Sequence, residues 1–265
     1  MKKLIIFAAT LFSVAVQIQA DDLQQKGFDI AARSDRSDRG FESSEVELTM
    51  VLRNAAGTET RRTLLTKTLE LADENVGDKS LILFYTPADV EGTALLSHAQ
   101  ILKPDNQWLF LPALKRTKRI SSANKSGPFV GSEFAFEDFT AQELNKFTYK
   151  FLREEPCPQD TDLTCDVVER YPAYKKSGYK KQVSWTDQKD FQVRQVEFYD
   201  RRGDKLKTLT LENYKLYEGN IWRTQKMVMV NHKTGKSTDL LYSDYQFKTG
   251  LTDKDFTKGV LNRLR

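Results

Sequence analysis

The sequence predicts a mainly β protein with a few short helices, in which one antiparallel sheet curls into a barrel or half-barrel. Apolar and polar residues alternate with a two-residue period over Val46–Leu52, which is typical of a half-buried antiparallel strand. The second half of the chain repeats long β-type segments separated by short turns, as in an up-and-down meander. Several late segments are apolar on both faces, and too few helices are predicted to cover a wide sheet. Curling around an apolar interior therefore explains the pattern best.

The first half of the chain is predicted to contain one short helix and three strands. Apolar spacing over Leu23–Ala32 suits the helix, and a polar run follows it. The strand that begins at Val46 ends at the turn Asn54–Gly57, and its partner covers Thr60–Glu70. A second turn then leads into the apolar strand Leu81–Tyr85.

The second half contains five predicted strands, with turn residues such as Asp, Gly and Asn between them. In the fourth of these strands apolar residues occupy both faces, with Met227 and Met229 on one face and Trp222 on the other. A helix that begins at the capping-box sequence Thr252–Asp255 is predicted to end the chain. The five strands cover Lys180–Thr186, Phe191–Tyr199, Leu206–Tyr217, Ile221–Val230 and Ser237–Phe247.

The N-terminus has the order of a secretory signal peptide. Two lysines precede the apolar stretch Leu4–Val16, and the small residue Ala20 follows it just before acidic sequence. We expect cleavage after Ala20, so that residues 1–20 are the signal peptide and residues 21–265 form a single domain in the periplasm. The residue directly after the cleavage position is Asp21 and not cysteine, and no later apolar segment is long enough to span a bilayer core of about 30 Å. The mature chain is therefore expected to be soluble and without a lipid anchor.

The charge balance gives the chain no general attraction to nucleic acid. The sequence carries 41 basic and 37 acidic residues, a formal net charge of +4. A balance so close to neutral does not support binding to a phosphate backbone, and export from the cytoplasm argues against it independently.

Two cysteines, Cys157 and Cys165, lie eight positions apart in a segment rich in Pro and Asp. In an oxidising compartment such a pair is expected to form a disulfide, which stabilises a protein by about 2 to 3 kcal/mol for a loop of this size. The alternative is a redox or metal-binding pair. The Cys-x-x-Cys spacing is missing, however, and no histidine lies nearby in the sequence.

Residues 107–145 differ from the meander because six aromatic side chains are concentrated in sequence that also contains Gly, Pro and Ser. Two interpretations are open: a core strand followed by a loop that tucks its rings into the core, or a mobile aromatic flap over an apolar ligand cavity. Trp222, Met227 and Met229 are further candidates for the cavity lining. A short helix is expected to start at Thr140–Glu143. The six aromatic candidates are Trp108, Phe110, Phe129, Phe134, Phe136 and Phe139.

Basic residues form two groups that could contact an acidic partner or anionic lipid headgroups. The alternative is an ordinary solvated face. The first group is the candidate docking site and consists of Lys115, Arg116, Lys118 and Arg119. The second contains Lys175, Lys176, Lys180 and Lys181, next to Tyr174 and Tyr179.

The middle segment also carries a family resemblance. Its motif is Trp-Leu-Phe-Leu-Pro-Ala-Leu-Lys-Arg at 108–116, followed by Arg-Ile at 119–120 and Gly-Pro-Phe-Val-Gly-Ser-Glu-Phe-Ala-Phe-Glu-Asp-Phe at 127–139. This motif resembles the outer-membrane lipoprotein-sorting, LolA-like family of periplasmic proteins, in particular its larger branch associated with transporters of the RND type. The resemblance extends over the whole mature chain.

The resemblance implies an incomplete antiparallel β-barrel wrapped around short helices, with an apolar cavity that shields acyl chains. It implies a monomeric carrier that moves the acyl chains of lipoproteins or lipids toward the outer membrane. The implied partners are those acyl chains, an RND-type inner-membrane transporter and, transiently, the membrane.

No catalytic, metal or cofactor site is predicted. The sequence lacks Gly-x-Ser-x-Gly and His-Glu-x-x-His motifs, and its two histidines, His98 and His232, are far apart in sequence. Two other functions remain as alternatives to a carrier. One is an accessory protein of an envelope transporter that carries no cargo, and the other is a lipid-acting hydrolase.

Overall fold

A computed structural model describes residues 6–71, 73 and 76–264, which form one large antiparallel sheet with two α-helices and several 3-10 turns. The helices are α1 (Ile6–Arg36) and α2 (Lys258–Leu261). The strands of the first half are β1 (Ser43–Arg53), β2 (Glu59–Leu69), β3 (Val76–Thr86), β4 (Ala94–Gln100), β5 (Asn106–Leu111) and β6 (Arg116–Arg119). Those of the second half are β7 (Phe147–Cys157), β8 (Asp160–Pro172), β9 (Tyr179–Asp187), β10 (Val193–Asp200), β11 (Lys205–Tyr217), β12 (Ile221–Asn231), β13 (Ser237–Tyr242) and β14 (Gln246–Phe247).

Strand β1 lies near the middle of the sheet, because it pairs with β2 on one side and with β13 on the other. From β1 the chain steps outward through β2 to β6, which forms one edge. It then crosses to the opposite edge, β7, and steps back through β8 to β13. Strands β6 and β7 do not pair, so the described sheet stays open. The predicted fold class, an incomplete antiparallel barrel with a few helices, is confirmed.

The segment that connects the two edges is residues 120–146, which we call the crossing loop. It contains 3-10 turns at Phe129–Gly131, Phe136–Phe139 and Leu144–Lys146. The α-helix expected to start at Thr140–Glu143 is not found there: this stretch is irregular, and the short 3-10 turn Leu144–Lys146 follows it. The side chain of Glu143 accepts hydrogen bonds from the Asp78 backbone N–H and from Arg39, both outside the loop.

The two faces of the sheet are covered by different parts of the chain. We call the face that carries Met50, Phe84 and Met229 the inner face, and the crossing loop packs on it. Helix α1 covers the part of this face nearest β7. A Cβ atom on Gly27 of α1 would lie 2.7 Å from the backbone nitrogen of Phe151, so only glycine allows the helix to approach the strand this closely.

The opposite, outer face carries two separate apolar clusters. In the first, Leu96 and Phe110 pack beneath the C-terminal segment through Phe256 and Leu261. The capping box at Thr252 is present, but the predicted final helix is divided into the 3-10 turn Asp253–Phe256 and the short α2. The second cluster contains the disulfide and consists of Cys157, Cys165, Val167, Val183 and Trp185.

The disulfide prediction is confirmed, since Cys157 and Cys165 are bonded to each other. The cysteines lie in the β7–β8 hairpin and are almost completely buried, with exposed fractions of 1% and 0%. The sequence did not predict these two strands. Charged residues interrupt the alternation along β7 and β8, so the pattern resembles a loop.

The N-terminal helix is longer than the predicted Leu23–Ala32, because α1 runs from Ile6 to Arg36. Residues 1–5 of the expected signal peptide lie outside the described residues, and the expected cleavage position after Ala20 falls within α1. Within the described part of the chain, no helix combines the length and the apolar character needed to cross a membrane.

Candidate functional site: the inner face and its crossing loop

The inner face is a continuous apolar surface to which both halves of the sheet contribute. Strands β1 to β4 supply one side of it, and β10, β12 and β13 supply the other. Its buried residues from these strands are Leu48, Met50, Leu64, Ile82, Phe84, Leu95, Val196, Phe198, Met229 and Leu240. A sheet surface of this composition is stable only when something covers it.

Four phenylalanine rings of the crossing loop cover this surface. The centroid of the Phe129 ring lies 5.6 Å from that of Phe84 on β3 and 4.4 Å from that of Phe139 within the loop. Phe136 and Phe134 complete the group, at 5.5 Å from Phe129 and 5.4 Å from Phe139 respectively. Phe129 is 0% exposed. The rings therefore occupy the concave side of the sheet as part of its core.

The structure brings together six of the nine residues that the sequence suggested for a cavity or flap. Phe129, Phe134, Phe136 and Phe139 share the inner cluster with Met227 and Met229 of β12. The other three lie on the outer face. Trp108 and Phe110 pack beneath the C-terminal segment, with the Trp108 ring 5.1 Å from that of His98. Trp222 has the opposite parity to Met227 and Met229 on the regular strand β12 and therefore faces outward.

A buried ion pair anchors the crossing loop to β11. Lys207 Nζ lies 2.7 Å from Asp138 Oδ2, with side-chain exposed fractions of only 4% and 8%. Asp138 also accepts hydrogen bonds from the Tyr179 hydroxyl at 2.8 Å and from the Ala135 backbone N–H at 2.7 Å. The carboxylate thus ties three elements together, and each of its contacts is charge-assisted.

The neighbouring carboxylate, Glu137, anchors the loop to the start of β9. It accepts hydrogen bonds from the Ser177 hydroxyl at 2.9 Å and from the Gly178 backbone N–H at 2.8 Å. Burial raises the pKa of Glu137, and the nearby Asp138 raises it further. A Cβ atom on Gly178 would lie 2.6 Å from Glu137 Oε1, so glycine is required for this contact.

A second buried ion pair anchors the loop to the β4–β5 turn. Lys146 Nζ lies 2.9 Å from Asp105 Oδ1, with side-chain exposed fractions of 1% and 4%. Asp105 also accepts hydrogen bonds from the Thr140 hydroxyl at 3.0 Å and from the Gln100 backbone N–H at 2.8 Å. Every carboxylate oxygen of Asp105 is therefore satisfied by the protein.

A cluster of acidic groups lies where the loop meets β3. Glu143 Oε1 accepts a hydrogen bond from the Asp78 backbone N–H at 2.8 Å, and Glu143 Oε2 lies 3.4 Å from Arg39. Burial raises the pKa of Asp78 to about 7, and the adjacent Glu143 and Glu70 carboxylates act in the same direction. The Leu71 backbone N–H, which donates to Asp78 Oδ1, opposes this shift.

The amino-acid sequence alone did not predict these anchoring residues. Asp138 and Lys207 are 69 positions apart, and Asp105 and Lys146 are 41 apart, so no local spacing connects them. One signal was available: the Glu137-Asp138 pair interrupts an otherwise apolar and aromatic run. A charged pair inside such a run requires partners if the run is buried.

The first basic group lies along the free edge formed by β6. Arg116, Lys118 and Arg119 are exposed, and Lys115 precedes them in a left-handed turn with a φ of 46°. Leu114, next to this group, is 68% exposed. Charged side chains on an edge strand also discourage pairing with another sheet, which is a sufficient structural reason for their presence.

The chain is similar to a protein family and to several solved structures. The sequence model of a protein family described as "Uncharacterized protein" matches residues 77–263. No curated protein matches the chain. Among solved structures, a domain from Vibrio parahaemolyticus described as an outer membrane lipoprotein-sorting protein domain is 47% identical, with a TM-score of 0.86. The match covers 91% of this chain and 100% of that chain.

Two further solved structures share the fold. A DUF1329 family protein from Desulfovibrio piger is 26% identical with a TM-score of 0.84, and the match covers 90% of this chain and 99% of that chain. A LolA superfamily protein from Nitrosomonas europaea is 23% identical with a TM-score of 0.66, over 91% of this chain and 98% of that chain. The open sheet is thus common to proteins of widely different sequence.

Proposed function

The chain belongs to the LolA-like family of outer membrane lipoprotein-sorting proteins, and from this we propose that it is a periplasmic carrier of acyl chains. Its cargo is a lipoprotein or lipid, which it moves toward the outer membrane. The observation that carries this proposal is the apolar inner face covered by four phenylalanine rings of the crossing loop. These rings occupy the position that an acyl chain would take.

The energetics of the inner face suit an acyl cargo. Transfer of an acyl chain from water to an apolar surface gains about 0.8 kcal/mol per methylene, so a lining of this kind can hold a chain during transit. Met227 and Met229 add a lining that adapts to chains of different shape. When the methylenes of an acyl chain replace the phenylalanine rings of the loop, the inner face stays covered.

We propose that the crossing loop moves off the inner face when cargo binds. Its anchors are ion pairs and hydrogen bonds, such as Lys207–Asp138 and Lys146–Asp105, and these groups are hydrated by water when the loop opens. Because a buried ion pair contributes little net stability compared with hydrated charges, such anchors fix the position of the loop without holding it irreversibly.

Lipid extraction and an uptake assay test the carrier proposal. Organic extracts of protein purified from periplasm should contain lipid or lipoprotein by mass spectrometry. Phe134→Asp should lower uptake of a fluorescent fatty acid, because it places a charge on the inner face. Trp222→Asp is the matched control on the outer face and should leave uptake unchanged. The proposal would be contradicted if the unaltered protein contained no bound lipid and took up no fluorescent fatty acid.

The partner of the basic edge is also a proposal. We infer that Lys115, Arg116, Lys118 and Arg119 contact an RND-type inner-membrane transporter or the anionic membrane surface around it. Lys118→Glu with Arg119→Glu should then weaken binding to vesicles that contain anionic lipid, in a salt-dependent manner. Equal binding by the variant and the unaltered chain would contradict contact between this edge and the anionic membrane surface.

A further inference from the structure

Arg223 lies at one end of the inner face. It has the same parity as Met227 and Met229 on the regular strand β12, so its side chain is on the same face of the sheet. Four residues of extended strand separate Arg223 from Met227, a distance of about 13 Å. The inner face therefore continues along β12 from an apolar centre to a positively charged end.

Aromatic rings enclose the guanidinium group of Arg223. Its Cζ lies 4.9 Å from the ring centroid of Phe41, 5.3 Å from that of Phe247 and 5.8 Å from that of Tyr245. The Arg223 side chain is only 12% exposed, and burial lowers its pKa to about 10. Ring faces attract a cation but do not neutralise it, so a buried guanidinium still requires an anionic partner.

A row of rings connects Arg223 with the apolar part of the inner face. The Tyr242 hydroxyl lies 3.6 Å from Met227 Sδ, and both side chains pack against the inner cluster. The Tyr242 ring stacks on Tyr245 with centroids 5.6 Å apart, and Tyr245 stacks on Phe247 at 5.8 Å. A chain that lies along Met227 and these rings therefore reaches Arg223 without leaving the inner face.

The anionic partner of Arg223 is Asp38, in the short segment between α1 and β1. The Asp38 carboxylate contacts Arg223 Nη1, which also donates to the Trp222 backbone carbonyl at 2.9 Å. The Asp38 side chain is 55% exposed, although its partner is buried. A carboxylate so exposed is hydrated at little cost when it leaves an ion pair. Its departure leaves space for one carboxylate beside the guanidinium.

The segment that carries Asp38 is also connected to the crossing loop. Arg39 Nη2 lies 3.4 Å from Glu143 Oε2 of the loop, and Arg39 Nε donates to Asp35 Oδ2 at 2.7 Å. Movement of the loop away from the sheet breaks the contact with Glu143. The segment then loses one of the contacts that hold Asp38 beside Arg223, whereas Arg223 itself stays on the sheet.

We propose that Arg223 binds the carboxylate of a fatty acid, which replaces Asp38 while the acyl chain lies on the inner face. The inference rests on the proposed carrier function and narrows its cargo to amphiphiles with a carboxylate at the end of an acyl chain. One carboxylate replaces another, so the exchange needs no further space at Arg223 and leaves the charge of the site unchanged. A small free carboxylate carries the same group but lacks the chain that the inner face binds.

The test compares two fluorescent probes with the same acyl chain, a fatty acid and its methyl ester. The unaltered mature chain should bind the fatty acid about tenfold more tightly, as expected for a charge-assisted contact with a guanidinium. Arg223→Gln should remove this preference and leave the affinity for the methyl ester unchanged. Binding is measured by titration of the probe fluorescence.

A second variant distinguishes a ligand site from an ion pair that only stabilises the fold. Asp38→Asn removes the carboxylate that competes for Arg223, so the fatty acid should bind several-fold more tightly while the methyl ester is unaffected. Because Asp38 is half-exposed, this variant is expected to fold. Lys226→Gln, on the outer face of the same strand, is the matched control and should change neither affinity. Unchanged or weaker binding of the fatty acid to Asp38→Asn would overturn the assignment of Arg223.

The remaining outcomes separate this inference from the carrier proposal. If the unaltered chain binds both probes equally, the carrier proposal stands and the assignment of Arg223 is overturned. If neither probe binds, both are overturned. Acetate that bound as tightly as the fatty acid, in a manner that depends on Arg223, would show that the site takes free carboxylates and would overturn the lipid assignment.

Discussion

The inner and outer faces of the sheet are both covered, but by contacts of different chemistry. On the outer face, the C-terminal segment buries Phe256 and Leu261 in an apolar cluster, and a disulfide closes the β7–β8 hairpin. On the inner face, the crossing loop buries phenylalanine rings, yet its ends are held by ion pairs such as Lys207–Asp138. The C-terminal segment on the outer face also has an ion pair, Lys79–Asp253, but Asp253 is 70% exposed. The ion pairs of the crossing loop on the inner face are instead buried.

The largest expected effect comes from breaking one anchor of the inner cover. Asp138→Ala leaves Lys207 buried without its carboxylate and should lower the free energy of unfolding by about 3 to 5 kcal/mol. Urea denaturation measures the change. Glu212→Ala removes the partner of the half-exposed Lys226 and, as the matched control, should cost less than about 1 kcal/mol. Equal losses in the two variants would contradict the account of the anchors.

The stability of the protein should also depend on pH through Asp78, whose backbone N–H donates to Glu143 near the end of the crossing loop. Because the pKa of Asp78 rises from 3.8 to about 7 on folding, its contribution to stability is lost as the pH rises through this range. Asp78→Asn keeps the acceptor for Leu71 and removes the ionisation. Its stability relative to the unaltered chain should grow by up to about 4 kcal/mol between pH 4 and pH 8.

Thermal unfolding followed across this pH range provides the measurement. Glu70→Gln is a useful comparison, because the half-buried Glu70 carboxylate raises the pKa of Asp78 through its charge, and glutamine keeps an acceptor for the Gly40 and Glu42 backbone N–H groups. Parallel stability profiles for Asp78→Asn and the unaltered chain would show that Asp78 does not titrate in this range.

Apart from the Glu212→Ala control, the smallest stability effect is expected on the outer face. Replacement of Cys157 and Cys165 by serine removes a bond between residues separated by 8 positions and should cost about 2 to 3 kcal/mol. The acyl uptake of the folded double variant should be unchanged, because the disulfide lies on the face away from the loop. A loss of uptake at temperatures where the variant is folded would show that the two faces are coupled.

The sequence predicted the fold well wherever side-chain alternation was clear. Apolar and polar residues alternate over Val46–Met50, and β1 was found there. Strands β7 and β8 were missed because charged residues such as Arg153 and Glu154 interrupt their pattern, although tertiary pairing still holds them in the sheet. Apolar and polar residues alternate along a strand when one of its faces is buried. A strand near an exposed edge of the sheet shows little of this alternation.

The candidate site was predicted only in part, for a topological reason. The aromatic run contains Trp108 and Phe110 as well as Phe129 and Phe134, but the first two lie on β5 and point to the outer face. Which face the crossing loop takes depends on how the chain passes from one sheet edge to the other. Neither residue spacing nor composition shows which face of the sheet the loop covers. The Asp138–Lys207 ion pair was missed for the same reason, because it joins residues that only the chain topology brings together.

The most direct test of the account is to lock the crossing loop onto the sheet. Glu133 of the loop lies against Thr238 of β13, where the Glu133 backbone N–H donates to the threonine hydroxyl at 3.0 Å. The double variant Glu133→Cys and Thr238→Cys should form a disulfide that abolishes uptake of fluorescent lipid when oxidised. Reduction should restore uptake, with the unaltered chain under the same reducing conditions as control. Full uptake by the oxidised, locked protein would contradict the claim that cargo replaces the loop on the inner face.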